Sequence, residues 1–356
     1  MRALLTLVCL VGAVVLAAPA QAAETSLVKR NCSPVAAAGS EFFFNERQAN
    51  GLFDARVGGF DCQGRPLLPP HDGHRGVADA RGRYVLFETA FGPDRQRTYA
   101  EPGRGFGMQL QLLDRQTGGV SQLTTGRKGI IWSKLHPSGT KVMWAELLYT
   151  PWEPRATWWH NLLGVWEIHV ADLRDGQLAN ERSWRHPNDS GFMESYGWLD
   201  DNTVMFATDS GMPSNPWGDW LSAQLWTMPD SLEGSPTRWS RPFTVKAWDW
   251  AAWRVTEQPR NPYHEFMHLV DGWVYFSVVW EYDLTGKDYN VTPPYNGLDL
   301  WRARPDGTGR ERVTSFNLER FAHVGGLAPH PAGGLIAGVC SNINCEGAID
   351  AYRIVP

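Results

Sequence analysis

The stretch His136-Pro137-Ser138-Gly139-Thr140-Lys141-Val142-Met143-Trp144 joins a tight turn to an apolar strand. The same order recurs at Val270-Asp271-Gly272 before Val274-Tyr275-Phe276, and at Arg81-Gly82 before Tyr84-Val85-Leu86-Phe87. Weaker copies are Asp201-Asn202 before Val204-Met205-Phe206 and Pro331-Ala332-Gly333 before Leu335-Ile336. Repeats of this kind build solenoids, propellers or arrays, because one unit cannot bury its apolar faces alone.

Each repeat is predicted to hold short strands, and helix signals are nearly absent. Six units can be counted, over approximately 40–70, 74–125, 130–186, 194–243, 264–315 and 323–356. The sixth lacks an outer strand, which the stretch Ser26 to Val35 is placed to supply, so that no sheet edge stays open. The sequence therefore predicts an all-β fold with one domain over 23–356: a six-bladed β-propeller of four-stranded antiparallel blades, its ring closed by the N-terminal strand.

Charge and hydropathy limit the partners and the compartment. The 356 residues carry a formal net charge of −5 and a pI near 6.1, which argues against a nucleic-acid partner. Residues 1–22 are typical of a cleaved signal peptide, with Arg2, an apolar run from Leu4 to Leu16, and Ala20-Gln21-Ala22 at the cleavage site. No later segment approaches the roughly 20 apolar residues of a membrane span. We expect a monomeric periplasmic or secreted protein.

Four cysteines remain after removal of Cys9 with the signal peptide: Cys32, Cys62, Cys340 and Cys345. An even number in an oxidising compartment indicates disulfides, and four cysteines allow three pairings. Closeness in sequence favours Cys32–Cys62 and Cys340–Cys345. A cross-link between the N-terminal and C-terminal pairs, or free buried thiols, are the alternatives.

The turn and strand motifs resemble those of a known family. Leu298-Asp299-Leu300-Trp301, Pro305-Asp306-Gly307-Thr308-Gly309 and Arg312-Val313-Thr314 look like the outer half of a TolB-type, WD40-like propeller blade. The turn at His136-Pro137-Ser138-Gly139 is similar to that family's inner turn. The resemblance implies a six-bladed propeller. It does not extend to TolB's extra N-terminal α/β domain, since the stretch before Phe42 is too short for one.

Four long loops, 92–107, 150–164, 210–223 and 281–297, connect the second and third strands of their units and are expected on one rim. Loops on a rigid scaffold commonly carry binding sites. The candidate ligand-binding residues in these loops are Trp152, Trp158, Trp159, Trp217, Trp220 and Tyr289. The alternative is that these aromatic rings pack on one another and order the loops.

A metal site is a second hypothesis. His74, Glu194 and His264 each lie eight residues before the turn residue of their unit, and His323 lies near the same place in the sixth. Inner strands line a propeller's central channel, so these side chains could hold one divalent ion such as Zn, Mn or Fe. The alternatives are a channel lining without metal and a metal-free ligand pocket.

His264-Glu265-Phe266-Met267-His268 matches the H-E-x-x-H pattern of zinc proteases. That chemistry needs a helix, whereas Pro262 and the Asp271-Gly272 turn indicate a strand here. We therefore expect no zinc-protease site. The turn histidines His136 and His330 are expected to bond neighbouring backbone.

Two functions stay open, and the sequence does not decide whether the protein is an enzyme. The first is an exported propeller that binds a peptide, glycan or protein on the aromatic rim at the channel mouth. The alternative is a metal-dependent polysaccharide lyase or hydrolase that uses the channel His/Glu cluster. Oligogalacturonate lyases are propellers with a histidine-bound metal, to which this set is loosely similar. Arg104 and Arg155 are rim candidates for binding a uronate, and the catalytic residues are unknown.

Overall fold

In the computed structural model, the described residues are 24–47, 53–69, 74–90, 108–127, 129–149, 165–185, 193–208, 224–239, 243–249, 254–260, 268–270, 272–278, 299–314, 316, 323–340 and 349–355. Every regular element within these ranges is a strand, as the sequence predicts. None of the described segments forms a helix of the length and apolar character needed to cross a membrane.

The strands follow one another in groups that correspond to the predicted repeats. The first group follows β1 (Glu24–Lys29) and comprises β2 (Ser33–Ala38), β3 (Glu41–Arg47), β4 (Phe53–Gly58) and β5 (Gly64–Pro66). The second comprises β6 (His74–Arg81), β7 (Tyr84–Ala90), β8 (Gln109–Asp114) and β9 (Val120–Gln122). The third comprises β10 (Ile130–Leu135), β11 (Lys141–Tyr149), β12 (Val165–Arg174) and β13 (Gln177–Arg185).

The remaining groups complete the chain. The fourth comprises β14 (Met193–Trp198), β15 (Thr203–Thr208), β16 (Gln224–Pro229) and β17 (Thr237–Arg238), and is followed by a hairpin of β18 (Phe243–Asp249) and β19 (Arg254–Arg260). The fifth comprises β20 (His268–Val270), β21 (Trp273–Val278), β22 (Asp299–Ala303) and β23 (Glu311–Arg312). The sixth comprises β24 (His323–Pro329), β25 (Leu335–Cys340) and β26 (Ile349–Val355).

Four sheets in the described part of the chain have four antiparallel strands: β10 to β13, β14 to β17, β20 to β23, and β1-β26-β25-β24. The sequence predicted six such blades. The difference arises because β2 to β9 form one eight-stranded sheet, in which β4 pairs with β5 and also, in parallel at Asp54↔Arg75, with β6. The short β5 covers only the Arg56-to-Gly58 end of β4, so the other end of β4 is open to β6.

Apolar side chains fill the space between consecutive groups. Trp144 and Trp166, from the third sheet, are almost fully buried on its two central strands. Such clusters join each group to the next in chain order, and one cluster, including Phe42 and Ile336, joins the first group to the last. Four-stranded antiparallel sheets that stack face to face in this way are the blades of a β-propeller.

The first strands of the groups contact one another. β2 contacts β6 and β24, β10 contacts β6 and β14, and β20 contacts β14 and β24. Five of the six have a register shift within the strand, located at Val35, Ala78, Trp132–Ser133, Tyr196 and Gly326. A bulge bends a strand and increases its twist. The shared irregularity shows that these strands occupy equivalent places in the fold.

The two ends of the described chain meet at one sheet. β1 pairs with β26 from Glu24↔Val355 to Lys29↔Ala351. The stretch 26–35, predicted as one donor strand, is divided, because its second part enters β2 of the first group. Between the two strands, Cys32 forms a disulfide with Cys62, which confirms the predicted pairing. Cys340 is also disulfide-bonded, to a cysteine outside the described residues.

Candidate functional site

The predicted metal ligands occupy related places in the backbone. His74 is the first residue of β6, Glu194 the second of β14, and His323 the first of β24, while His264 lies outside the described residues. Among the side chains that the structure describes, no group of three or more His, Cys, Asp or Glu could hold a metal ion. The four predicted ligands are not among those side chains, so the metal site stays a prediction.

The predicted aromatic ligand-binding residues all lie outside the described residues. They belong to the connections between second and third strands at 150–164, 209–223 and 279–298: Trp152, Trp158, Trp159, Trp217, Trp220 and Tyr289. Their role on the rim stays a prediction. The connections themselves join equivalent strands in their groups, so each leaves its sheet at the same end.

The structure brings together a set of ionisable side chains that the sequence analysis did not select. These side chains, here the channel cluster, come from the first or second strands of three groups: Asp79, Arg81, Glu88, Lys134 and His268. Of these, only His268 belongs to a motif of the sequence, the H-E-x-x-H match. It is the first residue of β20, so the strand expected there is confirmed at this residue.

Asp79 links β6 to β10 through a hydrogen bond within the channel cluster. Its carboxylate accepts a 2.8 Å hydrogen bond from the Ala80 N–H and a 3.0 Å bond from the Leu135 N–H. The Arg81 Nε lies 3.5 Å from the same carboxylate. A buried acid that receives two backbone donors is well compensated.

Glu88 links β7 to β10 in a similar way, through hydrogen bonds at the bulge of β10. One carboxylate oxygen accepts hydrogen bonds from the Ser133 N–H at 2.7 Å and from the Ser133 hydroxyl at 2.8 Å. Burial raises the pKa of Glu88 above its ordinary value, against the opposing effect of the Ser133 bonds and the charge of Lys134. The Glu88 side chain therefore fixes a strained turn of backbone beside Lys134.

Lys134 and His268 complete the cluster across β14. Gly197 of β14 has no side chain, and a β-carbon there would lie 3.3 Å from the Lys134 Cβ. His268 lines a small crevice with Gly197, Leu269 and neighbouring residues of β14 and β15. Gly197 thus faces the Lys134 stem and also lines the crevice that His268 lines.

Burial is the largest influence on the pKa of both basic groups. It lowers the pKa of Lys134, although the carboxylates of Asp79 and Glu88 act in the opposite direction. It also lowers the pKa of His268 well below 6.5, and the cations Lys134 and Arg81 lower it further. His268 is therefore neutral at pH 7. Perturbed ionisable groups gathered in an enclosed place are typical of a functional site.

A second polar cluster lies on the third sheet. His169 stacks on Trp144, with ring centroids 5.1 Å apart and planes 4° apart. Its Nδ1 lies 2.9 Å from a Glu181 carboxylate oxygen, and its Nε2 lies 3.4 Å from a carboxylate oxygen of Glu146. Arg127 bonds both carboxylates, at 2.7 Å to Glu181 and 2.9 Å to Glu146. These mutual bonds indicate a structural cluster that ties the connection before β10 to the third sheet.

The turn histidines behave as the sequence predicts. The Ser138 N–H donates to Nδ1 of His136, and the Ala332 N–H donates to Nδ1 of His330, each over 3.1 Å. Both rings therefore cap their own turns.

No family model matches the chain, and no curated protein matches it. Several solved structures are similar to the chain in fold. The β-propeller domain of the trilobed protease from Pyrococcus furiosus is 8% identical with a TM-score of 0.45, over 88% of this chain and 80% of that one. A puromycin-hydrolysing peptidase from Mycobacterium tuberculosis is 14% identical with a TM-score of 0.41, over 90% of this chain.

TolB from Acinetobacter baumannii is 12% identical with a TM-score of 0.42, over 88% of this chain. The chain spans only 52% of the M. tuberculosis peptidase and 63% of TolB. At these identities and TM-scores, we infer nothing about this chain's activity from the likenesses. Membership of the TolB-type family stays a prediction.

Proposed function

We propose that this protein is a non-catalytic binding propeller that holds a peptide, glycan or protein partner on one face. The observation that carries the proposal is the place of its long connections. In four groups the second and third strands are separated by long segments: 91–108, 150–164, 209–223 and 279–298. Since neighbouring strands are antiparallel, these segments leave their sheets at the ends where the first strands begin.

Side-chain chemistry supports the choice of this face. The six predicted aromatic ligand-binding residues fall in three of these four connections. By contrast, Gly82 and Gly272 each belong to a two-residue turn between first and second strands, which is too short to form a binding loop. Large aromatic side chains on long connections suit recognition because they supply contact area together with a polar N–H or hydroxyl group.

The proposal is tested with defined probes. An array of pure oligosaccharides and a displayed peptide library are applied to the wild-type protein, to Trp158→Ala/Trp159→Ala, and to Trp273→Ala. Trp273 is a matched control, since it lies beside the short turn of the fifth group, between the guanidinium groups of Arg302 and Arg304. Binding that the double variant loses and the control keeps supports the proposal. Equal binding by all three proteins contradicts it.

The alternative, a metal-dependent lyase or hydrolase, is favoured by one observation. His74, Glu194 and His323 all lie at the beginning of a first strand. Elemental analysis of the wild-type protein and of His264→Ala tests it, together with an assay for cleavage of polygalacturonate. One equivalent of metal, lost in the variant along with cleavage, would favour the enzyme over the binding propeller.

We also propose that the six groups form a closed ring of six blades, with β1 as the outer strand of the last. The contacts of β2 with both β6 and β24 support this arrangement, as does the pairing of β1 with β26. In this view the eight-stranded sheet is two blades that touch at Asp54↔Arg75. Amide hydrogen exchange tests it: the amides of β1 and β26 should open together with those of β2.

Export to the periplasm or the cell exterior is proposed as well. The Cys32–Cys62 disulfide supports it, because such bonds persist in oxidising compartments. N-terminal sequencing of the protein recovered from outside the cytoplasm should give Ala23 as the first residue if cleavage follows Ala22.

A further inference from the structure

We propose that the channel cluster is a binding site for an oxyanion, a carboxylate or a phosphate group, held by Arg81, Lys134 and His268. This site is separate from the rim proposed above. Arg81 and Lys134 lie at or next to the ends of β6 and β10, beside the short turns, whereas the long connections leave the opposite ends of the sheets. Neither site requires the other.

The carboxylates of the cluster already accept backbone and hydroxyl donors, and the Asp79 carboxylate also lies 3.5 Å from the Arg81 Nε. Asp79 accepts the Ala80 and Leu135 N–H groups, and Glu88 accepts both donors of Ser133. Within the described residues, no hydrogen bond to the Lys134 ammonium is present. An enclosed ammonium without a bonded partner is costly, and an anion beside it offsets that cost. The cluster therefore has donors available for an added oxyanion.

Ionisable side chains of the cluster are enclosed by protein and still reachable from water. Glu88, Lys134 and His268 each keep partial exposure, yet burial is the largest influence on the pKa of each. That combination is expected for side chains that line an internal channel. Low surrounding dielectric strengthens the attraction between a cation and a bound oxyanion.

The absence of a side chain at Gly197 leaves space for Lys134 beside β14. The φ of Gly197 is 103°, in the region that favours glycine, and the residue leaves β14 without a side chain where Lys134 packs. β14 contacts both β10, which carries Lys134, and β20, which carries His268, and the missing side chain at Gly197 lets Lys134 pack closely against β14.

Binding of the anion should be coupled to the uptake of protons by the site. An oxyanion favours the protonated forms of Lys134 and His268, whose pKa values burial lowers. Binding should therefore take up protons and weaken as the pH rises. The other charged groups facing the site are Asp79 and Arg81 of β6 and Glu88 of β7. They are present with and without the bound anion.

Isothermal titration tests the proposal with three probes: inorganic phosphate, acetate and the uncharged isostere acetamide. Titrations in buffers of different ionisation enthalpy at pH 6.5 report the protons taken up. We expect phosphate, acetate or both to bind with net proton uptake, and acetamide not to bind. Binding of phosphate alone or acetate alone identifies the preferred oxyanion.

Lys134→Met should weaken binding at least tenfold. Lys141→Met is the matched control on the adjacent strand, since Lys141 pairs with Asp230 in the fourth group, and it should bind as the wild type does. Equal affinity in Lys134→Met and wild type, equal binding of acetamide, or no heat with any probe overturns the proposal.

A measurement on the unmutated protein guards against a variant that fails to fold. In protein labelled with ¹³C-histidine, the His268 ring signal, assigned from His268→Gln, should shift on addition of phosphate or acetate. The His136 ring signal should not shift, because that ring is bonded within its own turn. A His268 signal that stays in place at saturating concentrations of both anions also overturns the proposal.

Discussion

Gly326 of β24 lies against the backbone of Pro34 in β2. A β-carbon on Gly326 would be closer than 3.0 Å to the Pro34 carbonyl oxygen, a separation that real β-carbons do not adopt. The φ of Gly326 is 72°, at the bulge of the last group's first strand. The first and last groups thus meet backbone to backbone.

Gly326→Ala should therefore destabilise the protein strongly. The strained φ alone costs about 1 kcal/mol, and movement of the Pro34 backbone adds about 1–3 kcal/mol. Gly272→Ala is the matched control, because Gly272 has a φ of 73° and no atom within 4 Å of a β-carbon. Urea unfolding of both variants measures the difference. Equal losses would show that the contact with Pro34 relaxes without cost.

The Cys32–Cys62 disulfide should stabilise the junction between the first and last groups. Cys32 and Cys62 are 30 residues apart, and a loop of that length corresponds to a stabilisation of about 3.7 kcal/mol. Cys32→Ala/Cys62→Ala should lose that amount in urea unfolding. Amide exchange should accelerate most in β1, which immediately precedes Cys32. A uniform acceleration across all sheets would contradict a local role for the bond.

Stability should fall as the pH drops below 6.5. The pKa of His268 is well below 6.5 in the folded protein, so the unfolded chain binds a proton there that the folded chain does not. Each such proton contributes a slope of up to about 1.4 kcal/mol per pH unit. His268→Gln should remove one such contribution between pH 6.5 and 5. His330→Gln is the control, since its lowered pKa predicts a smaller change of the same sign.

Glu181 should also lower the stability as the pH drops, but over a more acidic range than His268. Its hydrogen bond with His169, followed by that of Arg127, lowers its pKa in the folded protein. Its stabilisation is therefore present above the unfolded pKa, near 4.5, and is lost as the pH falls through the folded pKa. Glu181→Gln should cost about 1 kcal/mol at pH 7 and less at pH 3. The exposed Glu233→Gln should change neither value, and thermal unfolding at both pH values compares them.

The repeated turn before an apolar strand was sufficient to predict the fold class. The strands after Gly82, Gly139 and Gly272 form as predicted, because each turn fixes where the chain reverses and each apolar run fixes which side chains are buried. Joining of the first two groups could not be predicted, since it depends on how much of β4 the short β5 covers.

The hairpin of β18 and β19 was also missed. Its stretch lies between the predicted fourth and fifth units, and a proline such as Pro259 is unfavourable within a strand. In the structure Pro259 pairs with Thr244 in a two-stranded sheet. A strand with one neighbour can accommodate a proline, because one of its edges needs no backbone donor.

The channel cluster shows why a site is harder to predict than a fold. Arg81, Lys134 and His268 lie one, five and four residues before their turn glycines. Alignment on those glycines therefore does not place them together. Bulges also differ between the groups, since β6 and β10 have a register shift and β20 has none. A basic residue on each of these first strands, within five residues of its turn glycine, is the signal that could have found them.

The pairing of β1 with β26 has a consequence for biosynthesis. Glu24 leaves the ribosome long before Val355, so the strand synthesised first is among the last to find its neighbour. Until then β1 is a nascent segment with an unpaired edge, which invites association with other chains. Pairing between such distant residues also slows folding. This sheet can therefore be completed only after Val355 has left the ribosome, and a chaperone that shields the early strand should raise the yield.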